Sequence, residues 1–281
     1  MSEARFDGAG RLRRHPGAFV AAGFIVALAV LAIVGPLFSP YTFDGLDWKN
    51  IAVPPEFANG HWLGTDSLGR DLFVRTLHGL RVSLIIGVLA TAVSLVIGVA
   101  WGAVAGYVGG RTDELMMRTV DVLYSLPYIF IVIILMTVFT PNIYVLFVAI
   151  GAVGWLTMAR IVRGQALSLK HREFVEAAVV AGVGTPGILA RHIVPNLIGP
   201  VIVYATLTIP QMILYESFLS FLGLGVQEPL ASLGSLINQG ARDVQSAPWI
   251  LMAPAGVLVL LLVAFNYLGD ALRDAFDPRD R

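Results

Sequence analysis

The chain has no cysteine, only two lysines (Lys49 and Lys170), and charge on just 14% of its 281 residues, against roughly a quarter in soluble domains. Each shortage removes a class of function. Without a thiol there is no disulfide framework, no Cys-ligated zinc and no cysteine nucleophile. A phosphate-binding loop places lysine directly after glycine, but here Trp48 and Leu169 precede the two lysines, so the sequence contains none. His-Glu-x-x-His and Gly-x-Ser-x-Gly are also missing, which leaves no motif for a zinc protease or a serine hydrolase. The formal net charge is zero, whereas a nucleic-acid surface needs a clustered excess of basic residues.

Apolar residues fill the space: 57% of the chain is hydrophobic and the mean hydropathy is +0.77. A membrane-spanning helix needs about 20 such residues in a row, because only a helix or a closed barrel satisfies its own backbone in hydrocarbon. The first charge-free window, 17–38, follows Arg11, Arg13 and Arg14 and is too long for a cleaved signal peptide, so it reads as a retained span. The second, 82–110, carries Gly98, Gly102 and Gly106 at four-residue spacing, a flat face for close helix contact. No charge occurs between Asp121 and Arg160, a stretch that as one helix would be about 57 Å long. It must turn back, and Thr140-Pro141-Asn142 is the expected turn between spans 120–139 and 143–159. Spans 192–215 and 248–269 complete six, with kinks expected at Pro200, Pro210 and Pro254.

The expected fold is therefore all-α and polytopic, with six transmembrane helices. Fourteen of the nineteen Lys and Arg residues fall on one side of this topology, and the other side holds only Lys49, Arg70, Arg75, Arg81 and Arg242. Cytoplasmic loops carry the excess, so both termini are expected in the cytoplasm. The chain then divides into a cytoplasmic tail (1–16), the first span with an extracytoplasmic loop (17–80), a five-span core (81–271) and a second tail (272–281). Within the outer loop, residues 66–80 (Leu68, Leu72, Phe73, Leu77, Leu80) suggest an amphipathic helix lying on the outer surface.

The longest cytoplasmic connection, 160–197, reads as structured. Glu173, Phe174, Glu176, Ala177 and Ala178 favour helix, and Gly182-Val183-Gly184 breaks it. Thr185-Pro186 reads as an N-cap followed by proline, starting a short helix that Pro195 limits. Gly182 to Gly187 also matches G-x-G-x-x-G, but no strand precedes it and 193–215 holds no acid for a ribose, so the dinucleotide reading fails.

Here the sequence resembles the permease subunits of binding-protein-dependent ABC importers, whose cytoplasmic loop reads EAA, three residues, G, nine residues, I, one residue, LP. Glu176-Ala177-Ala178, Gly182 and Pro195 keep that register, while His192 and Val194 stand at the Ile and Leu positions. The segment His61-Trp62-Leu63-Gly64-Thr65-Asp66-Ser67-Leu68-Gly69-Arg70-Asp71, continued by Arg75, Gly79, Arg81, Ser83 and Leu84, is similar to dipeptide, oligopeptide and nickel permeases. So are the run from Glu216-Ser217-Phe218-Leu219-Ser220 to Gly225 and the ending from Asn266 to Asp274.

The resemblance implies a non-catalytic membrane subunit in a bacterial inner membrane that binds no cofactor itself. It pairs with a second, homologous permease, with two cytoplasmic ATPase subunits that hold ATP and Mg, and with an external solute-binding protein. Membrane lipid is the remaining partner, and nucleic acid is none. A coupling helix between spans four and five would dock on the ATPase: Glu176 anchors it, Ala177 and Ala178 allow close approach, and Gly182 permits the elbow. Thr185, Pro186 and Arg191 belong to the docking helix, which Pro195 ends. The implied cargo is a short peptide, with nickel or another small solute as the alternative. An ion-coupled secondary transporter would show paired broken helices or buried charges in corresponding halves, and no such halves are evident. Gln211, Tyr215 and Glu216 are the pathway candidates, with Glu216 alternatively in a structural hydrogen bond or a pair with an outer arginine. Arg118 and Asp121 are expected to pair locally.

Overall fold

The structure, a computed structural model, describes residues 16–139 and 142–276. Thr140 and Pro141 of the expected turn lie outside these residues, as do the N-terminal arginines, Arg279 and Arg281. Among the described residues the regular structure is helical: α1 (Pro16–Val34, prolonged by a 3-10 turn Gly35–Phe38), α2 (Leu72–Val108), α3 (Gly110–Ser125), α4 (Tyr128–Val138) and α5 (Ile143–Lys170). There follow α6 (Glu173–Val180), α7 (Thr185–Ile188), a π turn (Leu189–Ile193), α8 (Val194–Phe221), α9 (Leu233–Arg242) and α10 (Trp249–Phe276). Five runs are long and apolar enough to cross a membrane, and α3 with α4 forms a sixth if that pair, bent by 83°, counts as one span.

The centre of the molecule is the contact between α2 and α5, and the three spaced glycines make it. A Cβ on Gly98 would stand 2.6 Å from that of Met158, one on Gly106 would stand 2.6 Å from the Arg163 carbonyl, and one on Gly102 would strike the Ala159 carbonyl. Only hydrogen at these positions lets the two backbones approach so closely. Ile86, Ala90, Ile150 and Met212 fill the adjoining core between α2, α5 and α8. On the other flank Ala32, Leu80, Ile213, Leu261 and Phe265 join α1, α2, α8 and α10. Arg81 donates to the carbonyls of Ala32 and Ile33, two of the groups left open at the end of α1.

Several sequence expectations change. Pro127 has no N–H and pushes Leu126 into extended backbone (φ −83°, ψ 138°), so the span expected over 120–139 is broken into α3 and α4. The surface helix over 66–80 does not form as a separate element. Residues 72–80 are instead the first turns of α2, with Leu72, Leu77 and Leu80 buried, so the boundary at 80/81 falls inside a helix. Asp71 sets that start by accepting from the Val74 N–H (2.9 Å). At the far end α5 continues to Lys170, which places Arg160 and Arg163 on the span rather than in the 160–197 loop, and α10 runs to Phe276, past the boundary at 271/272. Pro200, Pro210 and Pro254 lie inside α8 and α10, where the sequence places them.

The residues expected as a local pair separate. Asp121 accepts from Arg160 of α5 (2.8 Å), and Arg118 faces Glu114 at 3.7 Å. Asp113 makes a two-pronged pair with Arg163 at 2.5 and 2.6 Å. These cross-helix pairs hold α3 along the charged end of α5 and override the spacing rule that pointed to Arg118.

Candidate functional site: an exposed elbow and a membrane-depth cavity

At the charged end of the molecule α6 projects as a short helix with Glu173 and Glu176 in its first turn, where acids complement the helix dipole. Val175 is buried in a cluster with Val162, Ile188, Ile193 and Leu197, and this fixes the helix to the ends of α5 and α8. Glu176, Ala177 and Val179 face outward, and Val180 is 89% exposed. The chain then turns at Gly182, whose φ of +81° is a left-handed conformation costly to a residue with a Cβ. The turn satisfies two carbonyls of α6, since Gly182 N–H donates to Val179 and Val183 N–H to Ala178, both at 3.0 Å.

Beyond the elbow the sequence expectation shifts by one residue. Gly184, not Thr185, occupies the cap position, and Thr185 and Pro186 are the first two residues of α7. Pro195 does not end that helix. The π turn Leu189–Ile193 precedes it and widens the hydrogen-bond spacing, so Thr185–Phe221 runs as one rod from the elbow into the span. Thr185, Pro186 and Arg191 are exposed on this rod, and Pro195 is half-buried at the head of α8.

Within the spans, α3, α4, α5 and α8 line a half-open cavity of about 510 Å³. From α8 it receives Tyr204, Thr208, Gln211 and Tyr215, whose spacing of four, three and four residues places them on one face of the helix. Thr157 of α5 and Tyr124 and Tyr128 on either side of the Pro127 bend complete its polar lining. The Tyr128 hydroxyl donates to the Ile150 carbonyl (2.9 Å), and its ring stacks on Tyr215 with centroids 4.4 Å apart.

Glu216 lies outside this lining although it follows Tyr215 directly. Its carboxylate is fully enclosed and accepts from Ser83 (2.8 Å), Ser220 (2.7 Å) and Ser217 (3.3 Å). The partners are hydroxyls rather than the outer arginines. Those arginines build a separate network: Asp66 accepts from Arg70 Nε (2.7 Å) with buried Arg75 at 3.5 Å, and Arg70 reaches Glu228 (3.0 Å). Separately, the buried Asp71 carboxylate pairs with His61 at 2.9 Å. The segment 61–71 is thus a folded cap over the start of α2, and its Thr65 carbonyl accepts from Trp249 of α10 (3.3 Å).

Residues 98–281 match the family described as "Binding-protein-dependent transport system inner membrane component", and residues 7–55 match "N-terminal TM domain of oligopeptide transport permease C". The chain belongs to the first of these families. Similar proteins include the oligopeptide transport system permease protein OppC of Haemophilus influenzae, 51% identical over 94% of this chain and 85% of that protein. The OppC protein of Escherichia coli is 52% identical over 92% and 85%. The dipeptide transport system permease protein DppC of Bacillus subtilis is 45% identical over 96% and 84%. A chain of the MetNI methionine ABC transporter, in inward-facing conformations, shares the fold with a TM-score of 0.59 at 17% identity, over 73% of this chain and 97% of that one.

In this chain the sequence-selected residues occupy three separate places. Glu176, Ala177, Ala178, Gly182, Thr185, Pro186 and Arg191 gather at the elbow, with Pro195 just beyond it. Gln211 and Tyr215 line the cavity, and Glu216 sits in its serine pocket. Sequence reasoning missed Tyr204 and Thr208, although the polar stripe through an apolar span was there to read. It also missed Thr157, Tyr124 and Tyr128, which only the folding of α3 and α4 against α5 brings alongside.

Proposed function

We propose that this chain is one of two membrane-spanning permease subunits of an ATP-driven importer of short peptides in a bacterial inner membrane. Its termini and elbow face the cytoplasm, the cap formed by 39–71 and α9 faces outward, and a homologous permease completes the pathway. Two ATPase subunits hold ATP and Mg, and the elbow receives their motion; a solute-binding protein delivers the peptide from outside. The observation that carries this reading is identity above 50% to oligopeptide permeases over more than nine-tenths of the chain, a range that includes both cap and elbow.

The geometry supports the mechanical part. A docking element must be exposed, short and rigidly joined to a span. Here the outward residues of α6 are presented beside a glycine turn, and the rod from Thr185 carries any displacement into α8, which lines the cavity. The test is affinity purification of the chain from its native membrane. An ATPase subunit and a second permease are expected to co-purify; a chain recovered alone, with full uptake activity, contradicts the proposal.

A further inference from the structure

The cavity between α5 and α8 has a chemical character that goes beyond a passage, and the inference drawn from it rests on the importer reading above. Among the described residues, its lining contains no Asp, Glu, Lys, Arg or His. The charges beside its lining residues are paired or enclosed. Arg160 and Asp121 neutralise one another at 2.8 Å, with the Arg160 guanidinium 4.2 Å over the Tyr124 ring, and Glu216 is enclosed by serines.

The lining is nonetheless polar. Gln211 and Thr157 are exposed within the spans, and neither side chain, nor the hydroxyls of Tyr204 and Tyr215, makes a hydrogen bond among the described residues. At membrane depth such groups require water or a ligand, because facing hydrocarbon would leave them unsatisfied. Their chemistry is that of amide and hydroxyl, donating and accepting equally well. That matches the N–H and C=O groups that every peptide backbone repeats, while the Tyr128 and Tyr215 rings offer apolar surface to side chains.

We propose that Gln211 and Thr157 bind the backbone of the passing peptide, and that the charge-free lining makes this chain's wall indifferent to the sign of the peptide's side chains. Selection by charge is then absent from this wall because nothing fixed in it attracts or repels either sign. A single permanent charge placed there should create such selection, since an unscreened charge in a low-dielectric wall acts strongly on a neighbour a few ångströms away. Arginine is the suitable probe because it stays protonated in proteins.

The experiment measures ATP-driven uptake of Ala-Ala-Ala, Ala-Lys-Ala and Ala-Glu-Ala by the complete complex in proteoliposomes. Each rate is expressed as variant over wild type, so that any preference of the binding protein cancels. In Gln211→Arg the ratio for Ala-Lys-Ala should fall about tenfold below that for Ala-Ala-Ala, and the ratio for Ala-Glu-Ala should not. Thr157→Arg, on the facing helix, should repeat the pattern and stands in if the first variant fails to assemble. Gln211→Glu should mirror it. Arginine variants that assemble, hydrolyse ATP and scale all three peptides by one factor overturn the inference while leaving the importer intact. A wild-type complex that accumulates none of the three peptides overturns the importer reading itself.

Discussion

Ser83 Oγ donates a 2.8 Å hydrogen bond to Glu216 Oε2, and both residues are completely buried. The same Ser83 oxygen accepts from the Leu233 N–H at 3.2 Å, so one hydroxyl ties α2, α8 and the start of α9 together. Ser220 and Ser217 also donate to the carboxylate. Ser83 belongs to the segment that follows the cap motif and Glu216 opens the motif at the end of α8. Two of the three stretches that resemble dipeptide, oligopeptide and nickel permeases therefore meet in one side-chain contact.

Glu216→Ala should destabilise the protein by about 2–3 kcal/mol, because the serine hydroxyls lose their shared acceptor in a site closed to water. Glu216→Gln retains one carbonyl oxygen and should lose less. Thermal unfolding of the detergent-solubilised complex should rank wild type above Gln and Gln above Ala. An alanine variant as stable as wild type means the clamp does not hold the start of α2 to the end of α8.

Gly102→Val should prevent α2 from packing on α5, since a side chain there meets the Ala159 carbonyl, the Val162 side chain and the Arg163 backbone. Gly164→Ala is the matched control on α5, with open space around its Cβ position, and should be neutral or stabilising by up to about 1 kcal/mol. Folded yield after size-exclusion chromatography separates the two; equal yields contradict the close-packing account.

Gly182→Ala should cost about 1–2 kcal/mol at the elbow through backbone strain alone, because its φ is +81° and no atom lies within 4 Å of its Cβ position. Gly182→Asn tolerates that conformation better and should be milder. Uptake and stimulated ATP hydrolysis in proteoliposomes should fall in the order glycine, asparagine, alanine, with capture by the external binding protein unchanged. Wild-type coupling in the alanine variant contradicts the role of the turn.

Arg163→Lys should weaken the attachment of α3, since a lysine cannot reproduce the two-pronged contact with Asp113. A double-mutant cycle on Arg163 and Asp113, read by thermal unfolding, should show a coupling of about 1 kcal/mol or more because Asp113 is largely buried. Additive effects contradict a direct interaction.

Much of this architecture was legible in the sequence because membrane helices announce themselves by composition. The apolar windows located the spans, and the glycine spacing marked a face of α2 for close helix contact without naming α5 as its partner. Pro127 was equally visible, yet a charge-free window masks a break inside it. The pairing of Asp121 with Arg160 was not legible, because spacing along one helix favours Arg118 and says nothing of a helix 39 residues away. The Ser83–Glu216 contact spans 133 residues and depends on how α2 and α8 meet. Gln211 and Tyr215 stood out singly, whereas the four-residue stripe to which they belong needed the period of the helix to be read through Tyr204 and Thr208.

The central claim is that the spans of this chain are moved by ATP hydrolysed elsewhere. Its most direct test is accumulation of a labelled tripeptide in proteoliposomes holding the full complex, with ATP added or withheld and with ion gradients collapsed. The account predicts accumulation against a gradient only with ATP, and no hydrolysis by the purified chain alone. Uptake that persists without nucleotide and vanishes when a proton or sodium gradient is removed would contradict it.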